Sequence, residues 1–146
     1  RVEKEQKKQI ILKKPGPDRG LFIVFEGIDG CGKSTQVELL ANKLRRQGKQ
    51  VVTLSEPTAG RWGQKIRDSA RSKGSLSPEE ELELFIKDRK EDIKNNIKPA
   101  LEAGQIVILD RYFYSTLAYQ GARGLDMNEI RAKHDKFVIK PAHSAK

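Results

Sequence analysis

Sulfur is nearly absent from this chain, which has one cysteine, Cys31, and one methionine in 146 residues. A lone cysteine excludes an internal disulfide and a multi-cysteine zinc site. Aromatic residues amount to 6%, and no apolar run approaches the roughly 18 residues that a membrane-crossing helix requires. Acid is also short, with 20 Asp and Glu against 29 Lys and Arg and a formal net charge of +9. The first residues are charged rather than apolar and do not read as a secretory signal. Together these shortages lead to the expectation of a cytoplasmic protein with no membrane partner. The length suits one domain around one core. The charge excess favours anionic partners, and alone it does not separate a nucleotide enzyme from a nucleic-acid binder.

What is present is organised. Lysine and arginine crowd the first 14 residues, and Pro15-Gly16-Pro17-Asp18 reads as a linker. Residues 1–19 are therefore expected to form a basic arm, and residues 20–146 the folded domain. The arm reads as a solvated tail rather than a nucleic-acid-binding segment. Within it Ile10-Ile11-Leu12 has the makings of a short strand.

Leu21-Phe22-Ile23-Val24-Phe25 is an uninterrupted apolar run, the pattern of a parallel strand covered on both faces. A helix is expected next, with Val37, Leu40, Ala41 and Leu44 on one stripe and Gly48 at its C-cap. Val51–Leu54 reads as a second strand ending in Glu56-Pro57, followed by a polar loop with Gly60 and Gly63 and a short helix around Gln64–Arg71. Ser77-Pro78-Glu79-Glu80 carries a capping signature. It opens a helix with Leu82, Phe85, Ile86, Ile93 and Ile97 on its inner face, which Pro99 is expected to kink or end. Ile106–Leu109 is the third strand, leading into Asp110-Arg111, a helix over Ser115–Gln120 that stops at Gly121, and a last helix capped by Asp126. Alternating strands and helices predict an α/β fold with a parallel sheet flanked by helices. Its ligand should bind beyond the carboxyl ends of the strands.

Gly27-Ile28-Asp29-Gly30-Cys31-Gly32-Lys33-Ser34 fits G-x-x-x-x-G-K-[ST], the P-loop. Glycines let successive backbone N–H groups converge on phosphate oxygens, and the helix that begins at Lys33 adds its positive dipole end. The expected cradle for the nucleotide therefore comprises Gly27, Asp29, Gly30, Cys31, Gly32, Lys33, Ser34 and Thr35. The Lys33 ammonium is of the type that reaches the outer phosphates, and the Ser34 hydroxyl suits one position on Mg²⁺. Asp110, closing an apolar strand, has the placing of a second metal-side acid. Arg111 beside it can spread charge between donor and acceptor phosphates. Cys31 is simply a small residue in the loop.

The segments Phe22–Gln36, Glu56-Pro57, Leu84-Phe85-x-x-Asp88-Arg89, Asp110-Arg111-Tyr112 and Ala118-Tyr119-Gln120-Gly121 occur in one order. Over about Arg19 to Asp126 the chain thereby closely resembles the thymidylate kinases, P-loop enzymes that move the γ-phosphate of ATP onto dTMP. The resemblance implies a three-layer P-loop fold, ATP and Mg²⁺ as cofactors, dTMP as substrate and a homodimer. It implies catalytic roles for Lys33, Asp110 and Arg111. On the substrate side it implies Asp29 at the sugar hydroxyl, the Glu56-Pro57 turn, and Arg67 and Arg111 at the acceptor phosphate. Phe85 would stack on thymine with Arg89 on the base, Tyr119 would crowd the 2′ position, and Gln120 would reach the base. The alternatives are a kinase for another deoxynucleoside monophosphate, or a P-loop module that binds nucleotide or nucleic acid without catalysis.

The chain departs from that family in two respects. Position 30 is Gly rather than a basic residue, so the resemblance calls for an arginine on a C-terminal lid. The printed chain ends at Lys146, before that lid and the last strands, and is read as C-terminally incomplete. Phe137–Pro141 reads as the approach to the next strand. Without outer neighbours, the strand before the P-loop is expected to be an exposed apolar edge.

Overall fold

The computed structural model describes residues 10–13, 20–27, 32–72, 76–139 and 143–144. Asp29, Gly30, Cys31 and most of the basic arm lie outside the described residues. The elements run β1 (Ile10–Lys13), β2 (Phe22–Phe25), α1 (Lys33–Arg46), β3 (Val51–Ser55), α2 (Arg61–Arg71) and α3 (Pro78–Asp92). A π-helical stretch, Ile93–Ile97, joins α3 to α4 (Lys98–Glu102), followed by β4 (Ile106–Asp110), α5 (Phe113–Ala122), α6 (Met127–Asp135) and β5 (His143–Ser144).

Strand order in the sheet is β3-β4-β2-β1-β5. The first three are parallel, with Phe22 opposite Val107 and Val51 opposite Ile106. Every residue of β2 is buried because alternate side chains feed different layers. Phe22 and Val24 join Val107, Leu109, Leu82, Ile86 and Ile97 on one face, whereas Ile23, Phe25 and Ile108 meet Val37 and Ala41 of α1 on the other. Helices therefore cover both faces, which is why these strands read as apolar runs.

The expected bare edge of β2 is not bare. β1 pairs with it antiparallel, Ile10 opposite Phe25 and Lys13 opposite Phe22, and β5 pairs antiparallel with β1. Ladder bonds from the chain's own Ile10–Lys13 thus satisfy the edge.

Several sequence signals act as expected. Ser77 accepts a hydrogen bond from the Glu80 backbone N–H at 3.1 Å, and Asp126 accepts one from Asn128 N–H at 2.8 Å. Gly48 and Gly104 follow their helices at φ +83° and +78°. Other expectations need correction. Helix α2 starts at Arg61, taking in Gly63. A Cβ on Gly63 would stand 1.9 Å from the Thr58 carbonyl oxygen, so a residue expected in a loop is a contact point between helix and turn. Pro99 does not end its helix. The chain widens into the π turn just ahead of it, which accommodates a residue with no N–H and a ring that crowds the preceding turn. Helix α5 passes Gly121 and closes after Ala122, with Gly124 at φ +101°. The 137–139 stretch is irregular, and the strand beyond it is His143–Ser144.

Candidate active site

The carboxyl ends of β2, β3 and β4 converge, and nearly every chemically distinctive residue follows one of them. Helix α1 begins at Lys33, immediately after Gly32 in the left-handed region at φ +84°, and no side chain caps it. Its first N–H groups and its dipole therefore face the open end of the sheet, with Ser34 and Thr35 exposed in the first turn. Lys33 Nζ rests 2.5 Å from Asp110 Oδ1, with only 8% and 17% of the two side chains exposed. The last residue of β4 thus already holds a cation at the entrance of the loop. Gly27 is half-buried at the end of β2.

Arg111 has φ +73°, a conformation that costs a non-glycine residue about 1–2 kcal/mol. Its N–H donates to the Phe25 carbonyl at 2.9 Å, and its side chain turns to the ligand side of the sheet. A cavity of about 320 Å³ opens there, within the range for small-molecule sites. Glu56, Pro57, Arg67, Phe85, Arg89, Arg111 and Tyr119 all line it. These seven predicted substrate-side residues come from five separate stretches of chain. Tyr119 is 58% exposed at the rim, so core packing does not explain it. Gln120 stands apart from the cavity lining. It is buried, and its amide donates to Glu81 Oε1 at 2.7 Å.

The Glu56-Pro57-Thr58 turn is fixed from two sides. Arg67 donates to the carbonyls of Thr58 and Pro57 at 2.7 and 2.6 Å. Asp88 accepts from the Thr58 N–H at 2.8 Å and from its hydroxyl at 2.6 Å. Arg67, predicted to grip a phosphate, here holds the turn and borders the cavity at once. Behind the turn, the buried Arg89 donates from Nε to Glu56 Oε1 at 2.6 Å, and from Nη1 to Thr116 Oγ1 at 3.0 Å. Burial pushes the Glu56 carboxyl well above the usual carboxylate range, opposed by the Arg89 charge and reinforced by Asp92. Glu56 Oε2 and Asp92 Oδ2 are buried without another partner among the described residues.

Sequence reasoning passed over Glu26. It accepts from the backbone N–H groups of Tyr112 at 3.2 Å and Ser115 at 3.1 Å, and from the Ser115 hydroxyl. Helix α5 has no side-chain cap from its own first turn, so a carboxylate from the end of β2 serves as one. Burial raises the Glu26 pKa, partly offset by these bonds. Its position directly before Gly27 was the available signal. Asp88 and Ser115 stood in the sequence signals only as a motif member and a helix start, and nothing in spacing marked Thr116 or His134.

Among the described residues no cluster of three or more acidic, histidine or cysteine side chains could cage a metal. Mg²⁺ is usually held by one or two protein groups together with substrate phosphates. The Ser34 hydroxyl and the Asp110 carboxylate are oxygens of the kind such an ion takes. The approach of the Lys33 ammonium shows that the Asp110 carboxylate accepts a cation. No helix among the described residues is long and apolar enough to cross a membrane.

The family model described as "Thymidylate kinase" matches residues 25–143. The chain is 52% identical over 126 residues to a thymidylate kinase of Akkermansia muciniphila, covering 86% of this chain and 61% of the relative. It is 52% identical over 111 residues to one of Desulfotalea psychrophila, covering 76% and 55%. The crystal structure of thymidylate kinase from Ehrlichia chaffeensis superposes with a TM-score of 0.74 at 39% identity, covering 82% of this chain and 70% of that one. The chain spans between half and two-thirds of the length of these curated relatives.

Proposed function

The chain belongs to the thymidylate kinase family, and from that premise we propose that it phosphorylates dTMP to dTDP with Mg-ATP, supplying nucleotide biosynthesis. The observation that carries the reading is the single cavity uniting the Glu-Pro turn, the Phe85/Arg89 helix, Arg111 and Tyr119 at the strand ends. Arg111 of its lining directly follows Asp110, which pairs with Lys33 at the start of α1.

The division of labour follows from chemistry. The acceptor phosphate is already a nucleophile, so the protein's work is to hold two anions in line and offset their charge. An oxygen of dTMP attacks the γ-phosphorus, and the bond to the ADP oxygen breaks. Glycine amides and the α1 dipole take the donor polyphosphate, and Lys33 exchanges Asp110 for the outer phosphates. Mg²⁺, when held by Ser34 and Asp110, supplies further positive charge to the phosphates. Arg111 and Arg67 serve the acceptor phosphate, Phe85 and Arg89 the base, and Tyr119 the sugar edge. Asp29 serves the sugar hydroxyl and Gln120 the base side, the latter through a rearrangement of its bond to Glu81. Homodimeric assembly and a cytoplasmic location are part of the same reading. Nucleic acid is not needed as a partner, because the cationic residues of the site find their anions in the nucleotides.

The test supplies Mg-ATP with dTMP, dUMP, dCMP, dGMP and dAMP separately and measures ADP release. Selective release with dTMP is expected. Preference for another acceptor would reassign the substrate, and no release with any would leave a binding module. Lys33→Ala or Arg111→Ala removes a cation from the transferring group, costing about 2–4 kcal/mol of barrier, with the fold retained by circular dichroism. Turnover within tenfold of the parent in either variant would refute the assignment.

A further inference from the structure

We propose that His134 is a positioning residue for Arg89, accepting a hydrogen bond from Nη1 and so fixing the guanidinium plane that the cavity presents to a nucleoside. This rests on the functional reading above in taking the cavity as the nucleoside's seat.

The geometry leaves the imidazole one role. His134 is fully buried. Nδ1 lies 2.8 Å from the Ile130 carbonyl oxygen, and Nε2 lies 2.9 Å from Arg89 Nη1. A carbonyl has nothing to donate and a guanidinium has nothing to accept with. Nδ1 therefore carries the proton and Nε2 is bare. The ring cannot turn away, since it stacks on Phe113 at 5.7 Å and 21° and packs against Phe137 at 5.4 Å. An imidazolium here would face the Arg89 cation, an opposition that outweighs the pull of the neighbouring Asp135 carboxylate in a buried setting, so the neutral form is the one that fits.

Arg89 is consequently held at three points by three elements. Glu56, after β3, takes Nε, whereas Thr116 of α5 and His134 of α6 share Nη1. Glu56 and Thr116 themselves border the cavity, but His134 does not. It is thus the one anchor whose loss leaves the cavity lining chemically unchanged. Removing it frees one edge of a buried, planar fork, and the nitrogens on the cavity side shift with it. That effect belongs to the binding of the acceptor nucleotide, not to the transfer of the phosphoryl group.

The test compares the wild type with His134→Leu, which fills the space without an acceptor, and His134→Gln, whose amide oxygen can stand where Nε2 does. Calorimetry gives Kd for dTMP at pH 7.5, and steady-state assays give kcat and KM for both substrates. For His134→Leu, Kd and KM for dTMP are expected to rise about tenfold, with kcat within about twofold and KM for ATP unmoved. His134→Gln is expected to recover most of that loss. Equal losses in both variants, an unchanged KM for dTMP in His134→Leu, or a fall confined to kcat overturns the proposal.

Should His134→Leu fail to fold, the wild type itself decides. The chain has only two histidines, His134 and His143. Nitrogen-15 spectra at pH 7 are expected to show His134 protonated at Nδ1 and bare at Nε2. The opposite tautomer, or an imidazolium, overturns the proposal. Failure of the functional reading looks different, as a wild type that neither binds nor phosphorylates dTMP whatever its histidine spectrum shows.

Discussion

At Arg89 and its neighbours, individual side chains carry two duties. Arg67 and Arg89 line the cavity while donating to the Glu56–Thr58 turn, so a substitution there perturbs shape as well as charge. Asp88 separates the two duties, because it is buried and does not border the cavity. Asp88→Ala leaves the Thr58 N–H and hydroxyl without acceptors and is expected to cost about 2–4 kcal/mol, read by urea unfolding. A loss below half a kcal/mol would show that water replaces the carboxylate freely. His134 gives a pH signature. Burial lowers its pKa from 6.5 to about 4, so the unfolded chain takes up its proton first as pH falls. The stabilising effect is complete above pH 6.5 and drains away between there and pH 4. Glu56 and Glu26 have raised values and act in the opposite sense, so the wild type is best compared with His134→Gln, which shares them. Relative to that variant, the wild type should lose up to about 3 kcal/mol of unfolding free energy between pH 7 and pH 4. A constant difference across that range would mean that the ring titrates normally.

Among the elements, those with local punctuation were legible and those fixed by distant partners were not. Ser77, Asp126 and Gly48 bound helices through groups within three residues, so their types alone declare the boundary. The strands announce themselves because both faces are covered. The start of α1 at Lys33 and the strand-end positions of Asp110 and Arg111 could be read from order along the chain. Glu26 as the cap of α5 could not, because its partners lie 86 and 89 residues away. For the same reason the bonds of Asp88, Thr116 and His134 belong to tertiary placement rather than to any pattern. Gly63 looked like loop chemistry but is an approach between α2 and the Thr58 carbonyl. Gly63→Ala must push that turn by more than an ångström or shift the helix. The expected result is a raised KM for dTMP and about 1–3 kcal/mol of lost stability. Unchanged kinetics would mean that α2 moves while the cavity wall stays.

Across the whole molecule, the sheet decides where ligands go and also where the chain is vulnerable. Three parallel strands place the ends of β2, β3 and β4 together, and helices shield both faces. The remaining exposure of such a sheet lies along its outer strands, whose unpaired N–H and C=O groups can recruit another chain. Here β1 occupies the edge beside β2 and is itself paired with β5, so Ile10–Lys13 acts as an interior strand despite its place in a basic arm. Proline cannot donate to a ladder and is poorly tolerated between two partners. Ile11 faces Val24 on one side and Ser144 on the other. Ile11→Pro should therefore remove about 0.5–1.5 kcal/mol of ladder bonding while leaving every cavity residue in place. The larger consequence is expected in association, because stripping β1 uncovers the backbone of the most buried apolar strand. Sedimentation velocity over a tenfold concentration range should show larger species growing in Ile11→Pro at the parent's expense, with dTMP affinity of the smallest species retained. A distribution identical to the parent's would mean that β1 contributes nothing to guarding that edge.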